Sequence, residues 1–220
     1  MRLRPLVIGT LVAALLASLF WRLAAAYDTV PALAFDTGIA IWLRAYMPGW
    51  LTTLFSYVTM AGSTPFVAVS VAAIGLAYWR SGRVTEAAYA IAVPLGGGLL
   101  VVVFKELLGR DRPPVAESLI TMPQFPSLPS GHSLGALVLA WVVCYLAVRT
   151  APAPLPRPRL FALAATGVFA VVLVGASRVY LGVHWPTDVV AGWLLGGAWI
   201  ALLTGVYEAG RLRPRAGSGG

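Results

Sequence analysis

Three short stretches hold most of the reactive chemistry of this chain. In SRVYLGVHWPTD, residues 177–188, Arg178, His184 and Asp188 fall within one turn-and-helix-start segment. One of the chain's 2 histidines lies there, although charged residues make up only 11% of the whole. A carboxylate four residues from a histidine, across a helix start, accepts one ring N–H, fixes the tautomer and leaves the other nitrogen free. The planar fork of Arg178 suits phosphate oxygens. The same three residues also suit an ordinary helix-start pair, with Arg178 meeting lipid phosphates. The second histidine, His132, follows Ser130 and Gly131 in PSLPSGHSLGA, directly before an apolar run. Ser130 is a candidate N-cap, Gly131 permits close backbone approach, and a helix N-terminus attracts phosphate. Plain capping, with His132 on the surface, explains that stretch as well. The third stretch, KELLGRDRPP, supplies Lys105 and Arg112. Within it, Arg110 and Asp111 read as solvated loop residues or a local ion pair.

The elements that must position these residues are apolar. Hydrophobic residues make up 59% of 220, and mean hydropathy is +0.83. The runs do not alternate as barrel strands do, and Gly and Ala recur inside them as close helix packing in lipid favours. The expectation is an all-α polytopic membrane protein with about six spans, near 5–25, 63–80, 85–104, 133–149, 160–177 and 187–207, each close to the ~20 residues a bilayer requires. A single domain over 1–210 is expected, with 211–220 a flexible tail. MRLRP and LAAAY frame the first span like a secretory signal, but Trp21 and Arg22 interrupt its end and fit an uncleaved anchor. Stretch 33–60 is broken by Arg44 and Pro48, and reads as amphipathic helix in the outer interface. Pro186 suits a first helical turn, so the last span begins near Trp185.

The net charge of +8 is explained by topology, with no nucleic-acid module or repeat present. With the N-terminus inside, ten of the 16 basic residues fall on the inner side: Arg2, Arg4, Arg80, Arg83, Arg149, Arg157, Arg159, Arg211, Arg213 and Arg215. That satisfies the positive-inside rule and makes both termini cytoplasmic. Arg22 and Arg44 flank aromatic residues as interfacial anchors. Lys105, Arg110, Arg112 and Arg178 remain on the outer side, in segments that also hold both histidines. The single cysteine, Cys144, excludes an intrachain disulfide.

Lys105, six residues, Arg112-Pro113; then Pro129-Ser130-Gly131-His132; then Ser177-Arg178, five residues, His184, three residues, Asp188: this order and spacing resembles the three-part signature of the type 2 phosphatidic acid phosphatase superfamily, which includes the vanadium haloperoxidases. The six-span layout resembles its bacterial membrane lipid phosphatases. The resemblance implies that His184 is the nucleophile, Asp188 its orienting group and His132 the general acid. It further implies that Lys105, Arg112 and Arg178, with Ser130 and the Gly131 N–H, hold the phosphoryl oxygens. Glu106, Asp111, Glu117 and Asp188 are scattered, so neither a metal nor any other cofactor is expected. The expected partners are an outer-leaflet lipid phosphate and the bilayer itself, with the site facing the periplasm or exterior of a plasma membrane. Undecaprenyl diphosphate leads as substrate, followed by phosphatidylglycerol phosphate or phosphatidic acid, then the phosphates of lipid A. Six spans disfavour a haloperoxidase. A non-catalytic lipid-phosphate binder or transporter would need the cations but neither histidine.

Overall fold

Every apolar run folds as helix, since a backbone inside a bilayer must satisfy its own hydrogen bonds. The computed structural model describes residues 3–114 and 118–211. Among them, eight α-helices follow one another: α1 (Arg4–Ala26), α2 (Val30–Tyr46), α3 (Leu51–Val58), α4 (Thr64–Arg80), α5 (Val84–Leu108), α6 (Gly131–Arg149), α7 (Arg157–Tyr180) and α8 (Pro186–Arg211). A 3-10 turn, Thr59–Gly62, joins α3 to α4. No strand occurs among the described residues. Five helices are long and apolar enough to cross a membrane, and α4 with the preceding bent segment Leu51–Gly62 makes a sixth, with a 46° angle between the two parts. Leu11 on α1, Leu95 and Leu99 on α5, and Phe161 and Phe169 on α7 all lie more than half exposed, as side chains facing lipid would. Arg2, Glu117, Arg213, Arg215 and the tail beyond Arg211 lie outside the described residues, as does the side chain of Arg44.

Alternating helix direction sorts the polar residues to two ends. Lys105 lies in the last turn of α5, Ser130 caps α6, Arg178 lies in the last turn of α7 and Asp188 in the first turn of α8. Arg80, Arg149 and Arg211 occupy the last turns of α4, α6 and α8, at the other end. There Arg149 Nε donates to Glu208 at 2.7 Å and Arg211 Nη1 to Glu86 at 2.6 Å.

The stretch expected to lie as an interfacial helix forms α2 and α3, interrupted at Pro48. Trp42, Tyr46, Trp50 and Tyr57 are exposed, as aromatic residues of an interfacial belt are. The opposite face is buried over the catalytic end. Phe55 packs edge-on against Tyr180, with ring centroids 5.1 Å apart, and the Thr52 and Tyr180 hydroxyls pair at 3.2 Å. A simple amphipathic helix would turn its acids to water, yet Asp36 of α2 is 0% exposed.

Candidate active site

The start of α6 is built as its sequence implied. Ser130 Oγ accepts from the Ser133 N–H at 3.4 Å and from the Ser133 hydroxyl at 2.9 Å. The Leu134 N–H goes to Ser130 O at 3.1 Å. Gly131 and His132 therefore carry the first-turn donors left over at a positive helix end. Two close backbone approaches hold this turn. A Cβ on Gly192 of α8 would lie 2.6 Å from Ser130 O, and one on Gly62 would run into His132 O. The Ser130 N–H also donates to Asp188 O at 3.0 Å, which ties the cap of α6 to the first turn of α8.

His184 sits in the turn before α8 and is 3% exposed. Its Nδ1 lies 3.3 Å from Asp188 Oδ2, and its Nε2 lies 3.3 Å from Arg112 Nη1. A carboxylate only accepts and a guanidinium only donates, so these neighbours select the Nδ1–H tautomer and leave a lone pair on Nε2. Burial pushes the His184 pKa well below the ordinary histidine value, and Arg178, Arg112, Lys105 and His132 push it the same way. The ring is neutral, and its contact with Asp188 is a hydrogen bond rather than an ion pair. Asp188 Oδ2 also accepts the Trp185 N–H at 2.9 Å.

Three cations act on the His184 ring, Arg112 directly at Nε2. Lys105 donates to Pro126 O, and Arg112 donates to Phe125 O at 2.7 Å and to Pro126 O at 3.3 Å. Arg178 Nη1 donates to Thr59 Oγ1 at 2.9 Å, while its buried Nε has no partner among the described residues. Arg178 O receives the Val183 and His184 N–H groups, both at 3.3 Å, so the turn carrying His184 is folded onto the end of α7. Among the described residues, no group of three or more His, Cys, Asp or Glu side chains is placed to hold a metal ion. A neutral imidazole with a lone pair on Nε2, close to three fixed cations, is an arrangement suited to attack on a phosphoryl group, whose charge spreads over its equatorial oxygens.

A sequence model of the PAP2 superfamily matches residues 83–211. Phosphatidylglycerophosphatase B of Bacillus subtilis is 33% identical over 189 residues, which cover 86% of this chain and 91% of that protein. The chain belongs to the PAP2 superfamily. An undecaprenyl-diphosphatase of Sulfolobus acidocaldarius is 43% identical over 83 residues, 38% of this chain and 34% of that one. The crystal structure of a transmembrane PAP2-type phosphatidylglycerolphosphate phosphatase from Bacillus subtilis superposes with a TM-score of 0.77 at 28% identity, covering 92% of this chain and 98% of that one. The protein is thus a multi-pass membrane lipid phosphatase of the PAP2 superfamily.

The site of this PAP2 member contains residues that sequence reasoning left out. Arg110 is neither solvated nor paired with its neighbour: it is 4% exposed. Its Nη1 donates to Asp188 Oδ1 at 2.6 Å and to Thr187 Oγ1 at 2.7 Å, and its Nη2 donates to Asp36 Oδ2 at 2.7 Å. Asp111 is exposed as expected, although its backbone carbonyl accepts from Ser127 Oγ and Trp185 Nε1. Thr59 was also missed as the partner of Arg178. Asp36 did carry a signal, being the one ionisable residue in the apolar run VPALAFDTGIAIWL. Such residues seldom occur without a function.

Proposed function

We propose that the protein hydrolyses a lipid phosphate through a phosphohistidine formed on His184 Nε2. The observation that carries this reading is the orientation of the imidazole, with Nδ1 on Asp188 and Nε2 beside Arg112. The Nε2 lone pair forms the N–P bond as the P–O bond to the leaving group breaks. The electron pair of that bond stays on the leaving oxygen, which takes a proton from His132. Lys105, Arg112 and Arg178, with Ser130 and the Gly131 N–H, hold the equatorial oxygens. Phosphorylation makes the ring cationic, and Asp188 stabilises it. Water then attacks phosphorus, His132 recovers a proton from it, and the N–P bond returns its electron pair to Nε2.

The catalytic end faces the periplasm or exterior of a plasma membrane, and both termini are cytoplasmic. Segregation of Arg80, Arg149 and Arg211 to the other end supports this orientation. For the substrate, phosphatidylglycerol phosphate moves ahead of undecaprenyl diphosphate. The similarity to phosphatidylglycerophosphatase B spans 86% of the chain, beyond the motifs every family member needs. Undecaprenyl diphosphate remains the second reading, on the 43% identity over 83 residues.

The test is phosphate release by purified protein in detergent against phosphatidylglycerol phosphate, undecaprenyl diphosphate, phosphatidic acid and lipid A. The expected result is the highest kcat/KM on phosphatidylglycerol phosphate, with none released by His184→Ala. Near wild-type release by His184→Ala would overturn the nucleophile, and a higher kcat/KM on undecaprenyl diphosphate would overturn the substrate order.

A further inference from the structure

Behind His184 lies a second layer of charge that the phosphate-binding cations do not explain. Both terminal nitrogens of Arg110 are engaged, one by Asp188 and Thr187, the other by Asp36. Its guanidinium also lies over the Tyr27 ring, 4.9 Å from the centroid, and 5.8 Å from that of Trp185. Although Arg110 is two residues from Arg112, it has no free fork to offer a phosphate. Asp36, in turn, does two jobs. Its Oδ2 accepts from Arg110 and from Thr187 Oγ1 at 2.6 Å, and its Oδ1 accepts the Thr187 N–H at 2.9 Å. A side chain from α2 thereby caps the first turn of α8, the turn that carries Asp188.

We infer that Asp36 and Arg110 are positioning residues, which hold Asp188 and through it the attacking nitrogen of His184. The inference rests on the reading of His184 as nucleophile. Arg110 fixes Asp188 Oδ1, so that Oδ2 alone is presented to the Trp185 N–H and to His184 Nδ1. The charges follow the same logic. Asp36, Arg110 and Asp188 sum to one negative charge behind a neutral ring, and formation of the N–P bond makes that ring positive. The set is therefore balanced in the phosphoenzyme rather than before it, as selective stabilisation of the later state requires. The pair also makes α2, which bears the exposed aromatic residues Trp42 and Tyr46, a structural part of the catalytic centre.

The experiment compares wild type with Arg110→Lys, Asp36→Asn and the double variant on micellar short-chain phosphatidylglycerol phosphate. It reads kcat, KM and the rate of acid-labile phosphoenzyme formation after rapid quench, with Arg178→Lys as the contrast. Arg110→Lys and Asp36→Asn are expected to lower kcat and phosphoenzyme formation ~10–100-fold, the usual size for a partner that orients an active ligand. KM should stay within about threefold, whereas Arg178→Lys should raise it, because of the three altered residues Arg178 alone is assigned to hold phosphate. The double variant should fall no further than the worse single one, as groups acting as a unit do. Wild-type kcat in both folded single variants, multiplied losses in the double, or a KM rise like that of Arg178→Lys would each overturn the inference. If Arg110→Lys does not fold, the Asp36→Asn split between kcat and KM decides. A wild-type enzyme that turns over without any phosphoenzyme would overturn the nucleophile reading and this inference with it. A normal wild-type phosphoenzyme formed equally fast by both variants would overturn this inference alone.

Discussion

Asp188→Asn tests the site at its most constrained point. The carboxylate meets donors on both oxygens: Arg110 on Oδ1 at 2.6 Å, and Trp185 N and His184 Nδ1 on Oδ2 at 2.9 and 3.3 Å. An asparagine brings one acceptor and one donor to positions that both require acceptors. Arg110 is the stronger competitor for the amide oxygen, since its bond is charge-assisted. The amide NH₂ then faces Trp185 N–H and His184 Nδ1, and Nδ1 must become an acceptor. The ring proton moves to Nε2 and blocks the attacking lone pair. In serine proteases the same change costs about 10⁴ in kcat through the wrong tautomer. Here too a loss of ~10⁴-fold is expected, or ~5.4 kcal/mol in activation free energy. The phosphate-binding cations are untouched, so KM should change by less than about threefold. Steady-state phosphate release and quenched phosphoenzyme measure both quantities, with a thermal melt in detergent to confirm the fold. A kcat within about tenfold of wild type would refute the tautomer argument.

The remaining expectations follow from other parts of the site. Because burial and the cations around it hold the His184 pKa well below the ordinary value, the acid limb of kcat/KM should lie well below pH 6.5. Arg112→Gln removes one like charge, which raises the pKa and moves that limb to higher pH; a limb that stays or moves down contradicts the cause assigned. His132 must hold a proton to donate it, and the negative charge of the bound phosphoryl group offsets the three cations that disfavour that proton in the empty site; kcat should therefore be bell-shaped, and a flat kcat between about pH 5 and 9 would count against the paired histidines. Hydrolysis should persist in EDTA, and loss restored by Mg²⁺ would refute phosphate binding by the three cations alone. Gly192→Ala places a methyl 2.6 Å from Ser130 O and should cost ~1–3 kcal/mol, seen as a lower melting temperature in detergent. An unchanged melting temperature would show that α6 and α8 separate freely there.

What could be read from the sequence was local, and what could not was tertiary. Apolar runs announced the spans because a bilayer tolerates few other backbones. Ser130 and Pro186 announced helix starts because capping depends on residues adjacent in sequence. The motif spacing named Lys105, Arg112, Arg178, His184 and Asp188 together, since each sits at a helix end or in the loop just beyond one, on the side to which alternating helix direction brings them. Arg110 escaped because GRDRPP looks hydrophilic, and its partner Asp36 lies 74 positions away. Only the packing of α2 over the starts of the catalytic helices joins them. Thr59 escaped for the same reason, its bond to Arg178 spanning 119 positions.

The burial of the Arg110 cluster is itself an argument for function. At the far end of the molecule, the Arg149–Glu208 side chains are 37% and 23% exposed, and such a pair contributes little and costs little. The Arg110 pairs with Asp36 and Asp188 are 3% and 0% exposed. Desolvation of buried ion pairs is often not recovered, and apolar side chains of similar volume commonly give equal or greater stability. The other buried residues of α2 that face the protein, Ala40 and Leu43, are apolar, so stability alone would favour an apolar residue at position 36 as well. The carboxylate lies where it meets the guanidinium that fixes the orienting group of the nucleophile. Positive charge in front of His184 and net negative charge behind it suit a ring that is neutral before attack and cationic after it, and a purely structural ion cluster has no need of that arrangement.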